Sequence, residues 1–195
     1  MNLKSLCVYC GSSPGARPSY AAAAEAFGRL LASEGITLVY GGGNVGLMGA
    51  VADGALRAGG QVIGVIPERL FAKEVAHRGL TKLHCVESMH ERKMKMAELS
   101  DAFVALPGGA GTIDEIFEVF TWTQLGFHLK PCAFLDVEQY YAPLFQFLDH
   151  MVNERFIKKE HVASLICTHD SGELLKRLRD YKPKVVEKWM ERKTT

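Results

Sequence analysis

Ala102-Phe103-Val104-Ala105-Leu106-Pro107-Gly108-Gly109-Ala110-Gly111-Thr112-Ile113-Asp114-Glu115 joins an apolar run to a glycine-rich turn and two acids. Its first five residues form a short, bounded apolar run, which reads as a buried strand. From Ile113 onward the apolar spacing suits a helix. The glycines therefore stand at a strand-to-helix turn, where the free N–H groups of a first helical turn and the helix dipole converge. Glycines let backbone approach a ligand closely, and Thr112 adds a hydroxyl. The combination predicts a phosphate cradle. Asp114 and Glu115 then read as acids in the first turn, and two accounts of them stand side by side. One is compensation of the helix dipole, a common arrangement contributing about 0.3–1 kcal/mol. The other is an acid held beside a bound phosphate to stabilise a cationic centre. A nucleoside 5′-monophosphate, with phosphate and base on different ribose carbons, has the matching layout.

On both sides of this stretch, apolar strands alternate with helical patterns along the chain. Strands are predicted over residues 3–9, 36–40, 61–66, 82–86, 101–106 and 132–135, with a short edge strand over 164–167. Helices are predicted over 18–33, from the glycines at 41–46 through 58, and over 89–100, 140–153 and 171–180. Residues 68–80 are less regular and read as a lid or a connection. Such alternation implies a parallel sheet covered on both faces: a doubly wound, Rossmann-like α/β fold in a single domain. The domain spans residues 1–180, and residues 181–195 form a basic tail with five Lys or Arg against two Glu, read as a solvated end. Ligands on such sheets bind beyond the carboxyl ends of the strands. The glycine loops at 11–15, 41–46 and 108–111 gather there.

At 195 residues, with 23 Lys plus Arg against 22 Asp plus Glu, no bulk charge argues for nucleic acid or a membrane surface. No apolar run approaches the ~18 residues of a membrane span. The N-terminus reads as a first strand, not a leader, and the expectation is a cytoplasmic protein. Five cysteines argue against a disulfide framework. Cys7 and Cys10 form C-x-x-C, but positions three apart in a strand point to opposite faces, so buried structural cysteines are expected. The seven histidines show no metal-ligand spacing. No catalytic metal and no cofactor are expected.

Gly41, Gly43 and Gly46 satisfy G-x-G-x-x-G, which invites a dinucleotide reading. The ribose-binding acid that should follow ~20 residues later is only roughly matched by Glu68. Glycines that merely pack a helix on a sheet are the competing account. In the helix over 89–100, Met89, Met96 and Leu99 share a face, and Arg92 falls into the same stripe. A guanidinium on an apolar face must find an anion. That anion is either a structural acid or a substrate group gripped by the guanidinium fork. Lys93 beside it reads as part of a solvated face.

Four segments together resemble a known family. They are Cys10-Gly11-Ser12-Ser13, Tyr40-Gly41-Gly42-Gly43-Asn44-Val45-Gly46-Leu47-Met48-Gly49, Met89-His90-Glu91-Arg92-Lys93 and Pro107-Gly108-Gly109-Ala110-Gly111-Thr112-Ile113-Asp114-Glu115. In order and spacing they are similar to the Lonely Guy family of cytokinin riboside 5′-monophosphate phosphoribohydrolases, whose members are often mislabelled lysine decarboxylases. The resemblance implies hydrolysis of the N-glycosidic bond of N6-prenylated AMP, and of AMP, to free base and ribose 5-phosphate. By position it implies Arg92 and Glu115 as the catalytic pair. It places Glu74, Met89, Lys93, Gly109, Ala110, Gly111, Thr112, Ile113, Asp114 and Thr121 at the substrate. Gly11, Ser12, Gly42, Gly43 and Asn44 would form phosphate or ribose loops. A homodimer with sites near the subunit interface is implied as well. Ala110 stands where many members have Tyr, and Asp114 where many have Glu; neither removes the catalytic pair, and the smaller residue at 110 bears on substrate preference.

Breaking a glycosidic bond builds positive charge on the sugar. Glu115 would stabilise it and orient or deprotonate the attacking water. Arg92 would act electrostatically, on the phosphate or on the departing purine. The rivals are a pyridoxal-phosphate lysine decarboxylase, for which no Schiff-base lysine stands out, and a non-catalytic nucleotide carrier or sensor on the same fold.

Overall fold

The element that decides the topology is β1 (Ser5–Tyr9), from which the sheet grows in both directions. A computed structural model of the chain describes residues 1–71 and 76–183. Beside β1 come β2 (Thr37–Tyr40), β3 (Val62–Pro67) and β4 (Lys82–Val86) on one side, and β5 (Ala102–Ala105), β6 (Cys132–Leu135) and β7 (Ile166–Thr168) on the other. The strand order is β4-β3-β2-β1-β5-β6-β7 and every pairing is parallel. The doubly wound fold expected from the alternation is therefore present. The central strands read as unbroken apolar runs because both faces are covered.

Alternation along β1 divides the core into two halves. Leu6, Val8 and Cys10 pack against α1 (Pro18–Ser33), α2 (Gly46–Arg57) and α8 (Ser171–Arg179). Cys7 and Tyr9 face α4 (Met89–Glu98), α5 (Ala110–Gln124) and α6 (Ala142–Asn153). The two cysteines of the C-x-x-C thus lie in different halves of the core, as strand periodicity requires. Burial in apolar surroundings pushes the Cys7 thiol far above its ordinary value, so it stays a thiol. Cys85 departs from the buried expectation: it is exposed on β4, one of the two edge strands of the sheet.

Several boundaries follow local chemistry. Pro18 starts α1, where its missing N–H and fixed φ suit a first helical position. Residues 68–71 form a one-turn helix, α3 (Glu68–Phe71), and Ala76 returns as an isolated antiparallel bridge to Gly43. Another one-turn helix, α7 (Lys159–Val162), precedes β7. Only residues 181–183 of the basic tail lie within the described part.

The chain leaves β1 toward β2, β3 and β4, then crosses back to lay β5 on the other side of β1. At that reversal the loops following β1 and β5 diverge, which is where doubly wound folds open a crevice. Among the described residues no helix is long and apolar enough to cross a membrane.

Candidate active site

The loop after β5 is tied to the fold through its carbonyls. Leu106 O accepts from Tyr141 Oη at 2.5 Å, Pro107 O from Gly11 N at 3.0 Å and Gly108 O from Tyr140 Oη at 2.6 Å. Tyr141 is itself buried, and its N–H donates to Asp136 Oδ1 at 2.7 Å. With the acceptor side of the loop pinned, its donors remain for the outside. Gly109 is the N-cap of α5, and Ala110 and Gly111 open the helix with no carbonyl ahead of them. Gly109, Ala110 and Gly111 are exposed, and a methyl group placed on Gly109 or Gly111 would meet nothing within 4 Å. Gly11, Ser12, Gly108 and Gly109 line one cavity of about 280 Å³ with Tyr20 and Tyr140.

The helix begins at Ala110, not near Ile113, which changes the reading of its acids. Asp114 and Glu115 fall in the second turn, and the first turn carries no acid. Dipole compensation, an effect confined to the first turn, does not account for them. Glu115 pairs instead with Arg92: Nη1 of Arg92 donates to Oε1 of Glu115. Both side chains are nearly buried, at 9% and 11% exposure. Arg92 Nε donates to Val65 O, at the carboxyl end of β3, at 3.0 Å. The anion that the buried guanidinium had to find is thus the second member of the expected pair. Burial raises the Glu115 carboxyl above its ordinary value, with Arg92 and then Lys93 pulling it back down.

Gly111, Thr112 and Glu115 lie three and four residues apart and so share one flank of α5, about 6 Å separating Gly111 from Glu115 along the axis. A ligand seated on the open N-terminus would reach the carboxylate along that flank. Thr112 is buried, its hydroxyl tucked beneath Gly108, and Ile113 is half-buried.

Lys93 corrects an expectation. Instead of a solvated face, its Nζ lies 2.6 Å from Asp114 Oδ2 and 3.3 Å from Glu118 Oε2, with the side chain 13% exposed. Burial works against its charge, but the hydrogen bonds to Asp114 and Glu118 prevail and its pKa is raised. It is held as an ammonium. Met89, expected on the buried stripe with Arg92 and Met96, is exposed at the N-terminus of α4.

The second glycine loop is built differently. The N–H groups of Leu47 and Met48, at the start of α2, donate to Gly11 O at 3.0 and 3.3 Å. Gly42 and Gly43 are buried, with Gly42 O accepting from His77 N at 2.8 Å and Gly43 O from Tyr40 Oη at 3.1 Å. An N-terminus already engaged by backbone is a poor pyrophosphate site, which removes the support for a dinucleotide. Ser12 and Asn44 are exposed. Thr121 is exposed on α5, seven residues beyond Asp114 and so roughly 10 Å from it along the axis. Glu74 lies outside the described residues. Sequence reasoning missed Val65, Tyr140 and Tyr141 because a backbone carbonyl leaves no residue signature and the tyrosines sit over thirty positions from their acceptors. Among the described residues there is no group of three or more His, Cys, Asp or Glu that could hold a metal ion.

Residues 48–178 match a protein family described as "Possible lysine decarboxylase". A cytokinin riboside 5′-monophosphate phosphoribohydrolase of Rhodococcoides fascians is 54% identical over 168 residues, covering 86% of this chain and 85% of that protein. One from Arabidopsis thaliana is 46% identical over 181 residues, 93% of this chain and 85% of its own. The fold is also similar to the structure of a molybdenum cofactor binding protein from Rippkaea orientalis, with a TM-score of 0.70 and 22% identity over 92% of this chain and 98% of that one.

Proposed function

The chain belongs to the Lonely Guy family, and from that premise we propose that it hydrolyses the N-glycosidic bond of cytokinin riboside 5′-monophosphates, N6-prenylated AMP among them, and also AMP. The products are the free adenine-type base and ribose 5-phosphate. The observation that carries the residue assignment is the buried pair formed by Arg92 of α4 and Glu115 of α5, the carboxylate lying on the same flank of α5 as its open N-terminus.

In this reading the N–H groups at the start of α5, with the glycine loop after β1, hold the phosphate of the nucleotide. The ribose then lies along Gly111 toward Glu115. As the bond from the anomeric carbon to the purine nitrogen lengthens, its electron pair leaves with the base and positive charge gathers on the sugar. The Glu115 carboxylate stabilises that charge. It also orients a water whose oxygen bonds to the anomeric carbon, taking one of its two protons while the other stays on the new hydroxyl. The departing base takes up one proton from solvent and Glu115 returns its proton to solvent, so that one water is consumed in all. Arg92 donates to Glu115 and to Val65, so its part is to hold the carboxylate in position and in its charged form. Exposed Thr121, remote from Asp114 along the helix, fits a role at a neighbouring subunit's substrate. We accordingly propose a homodimer.

The lysine decarboxylase description finds no support in the site. A Schiff-base lysine must be a free amine, and Lys93, adjacent to the pair, is kept charged by two carboxylates. Incubating the protein with prenyl-AMP and with AMP should release free base and ribose 5-phosphate. Glu115→Gln should lower kcat by at least about a hundredfold, in the range expected for loss of a general base, with nucleotide affinity changed little. Near-normal turnover by that variant would remove Glu115 from the mechanism.

A further inference from the structure

Gly41 follows β2 directly and opens the glycine run whose dinucleotide role the structure does not support. Its neighbours Gly42 and Gly46 have φ of 76° and 60°, which explains them as glycines by conformation. Gly41 is not among the positive-φ residues, so its backbone suits any L-amino acid. What excludes a side chain there is space. A Cβ on Gly41 would lie 2.0 Å from Arg92 Nη2, 3.2 Å from Arg92 Cζ and 3.3 Å from Met48 Sδ. The guanidinium is thus bounded on three sides: Nε on Val65 O, Nη1 on Glu115, and Nη2 against the bare α-carbon of Gly41.

We propose that Gly41 is a positioning residue of the active site: its missing side chain forms the notch that seats the Arg92 guanidinium against Glu115. Val65 and Glu115 bind the guanidinium by attraction, and Gly41 sets by contact how far it settles. The obstructed atom is the far end of a flexible side chain, not backbone, so an added methyl displaces Arg92 and leaves the fold standing. Relief from 2.0 Å to ordinary contact requires a shift of more than an ångström, enough to break a hydrogen bond whose strength falls steeply with distance and angle. A misplacement of that size costs up to about a hundredfold in rate when it disturbs a reacting constellation. The kinetic consequence rests on the hydrolase reading above; the geometric one does not.

Gly41→Ala is the test, read out in two ways. With prenyl-AMP, kcat should fall about ten- to a hundredfold while the dissociation constant for the nucleotide moves less than about threefold, and the melting temperature should stay near that of the wild type. Independently of turnover, the ¹³C NMR titration of the Glu115 carboxyl should move to higher pH. Its charged neighbours are Arg92, Lys93 and Asp114, and the withdrawal of Arg92 removes the largest influence favouring its charged form. In an Arg92→Ala background the added methyl enters vacated space, so Gly41→Ala should there change neither the titration nor nucleotide affinity. An unshifted Glu115 titration in the single variant, or an equal effect of Gly41→Ala with and without Arg92, overturns the proposal. If the single variant fails to fold, recovery of folding in the double variant supports the notch and continued failure overturns it. Absence of base release by the wild type, together with the expected titration shift in Gly41→Ala, would refute the hydrolase reading and leave the notch intact.

Discussion

Glu115 and Arg92 show how two accounts of a residue become one. A guanidinium on an apolar helix face called either for a structural acid or for a substrate anion, and the acid it found is the one expected to do chemistry. A carboxylate in that position feels opposite influences, burial raising its pKa and Arg92 lowering it, with burial the larger. The carboxyl therefore holds its proton to a higher pH than the ordinary 4.5. If the ionised form is needed, kcat/KM should fall on the acid side with an apparent pKa above 4.5, and an acid limb at or below that value would show that Glu115 is not the titrating group. The sign for stability is opposite. Between 4.5 and its folded value this carboxyl binds more protons folded than unfolded, so its own contribution to folding improves as the pH falls through that window.

At the scale of elements, the contact between α4 and α5 is a double ionic staple, Arg92 to Glu115 and Lys93 to Asp114 and Glu118. Replacing Lys93 by Met keeps most of the stem and removes the charge that Glu118, 27% exposed, shares with Asp114. The expected loss is about 1–3 kcal/mol by urea unfolding, less than for a fully buried pair because Asp114 is open to water. Lys93 has a raised folded pKa, so its contribution is complete below the unfolded value of 10.5 and is lost as the pH rises through the folded one. The gap between wild type and Lys93→Met should hold through neutral pH and close in strong alkali. A constant gap there would mean packing, not charge, supplies it. What the sequence disclosed of these elements follows the same physics. Helix α1 was legible end to end, from Pro18 to the Ser33 that precedes Glu34-Gly35, because both ends carry local signals. The start of α5 was not, because glycine is a poor helix former and the burial of Thr112 and Ile116, which brings the first turn into register, depends on distant strands. Lys93 was misjudged for a related reason: its partners lie on another helix, more than twenty residues away.

For the whole molecule, the reversal of strand order beside β1 explains why residues from four segments meet: Gly11 after β1, Gly41 after β2, Arg92 on α4 and Glu115 on α5. One substrate-implied residue stands apart from them. Thr121 is exposed, and the segment that ends α5 just beyond it exposes Leu125, Phe127 and Leu129 in close succession, Phe127 at 76%. An apolar cluster of that kind is better explained by a partner surface than by solvent. In the proposed homodimer this edge packs against a second copy and carries Thr121 toward the partner's substrate. Phe127 caps no core, so Phe127→Asp should leave the circular dichroism spectrum unchanged while shifting sedimentation equilibrium from dimer to monomer. Specific activity of the wild type should then fall on dilution through the dimer dissociation constant, and that of the variant should be low at every concentration. A wild-type monomer with full activity, or a variant that still sediments as a dimer, would place the partner surface elsewhere and return Thr121 to the ordinary solvated face of its helix.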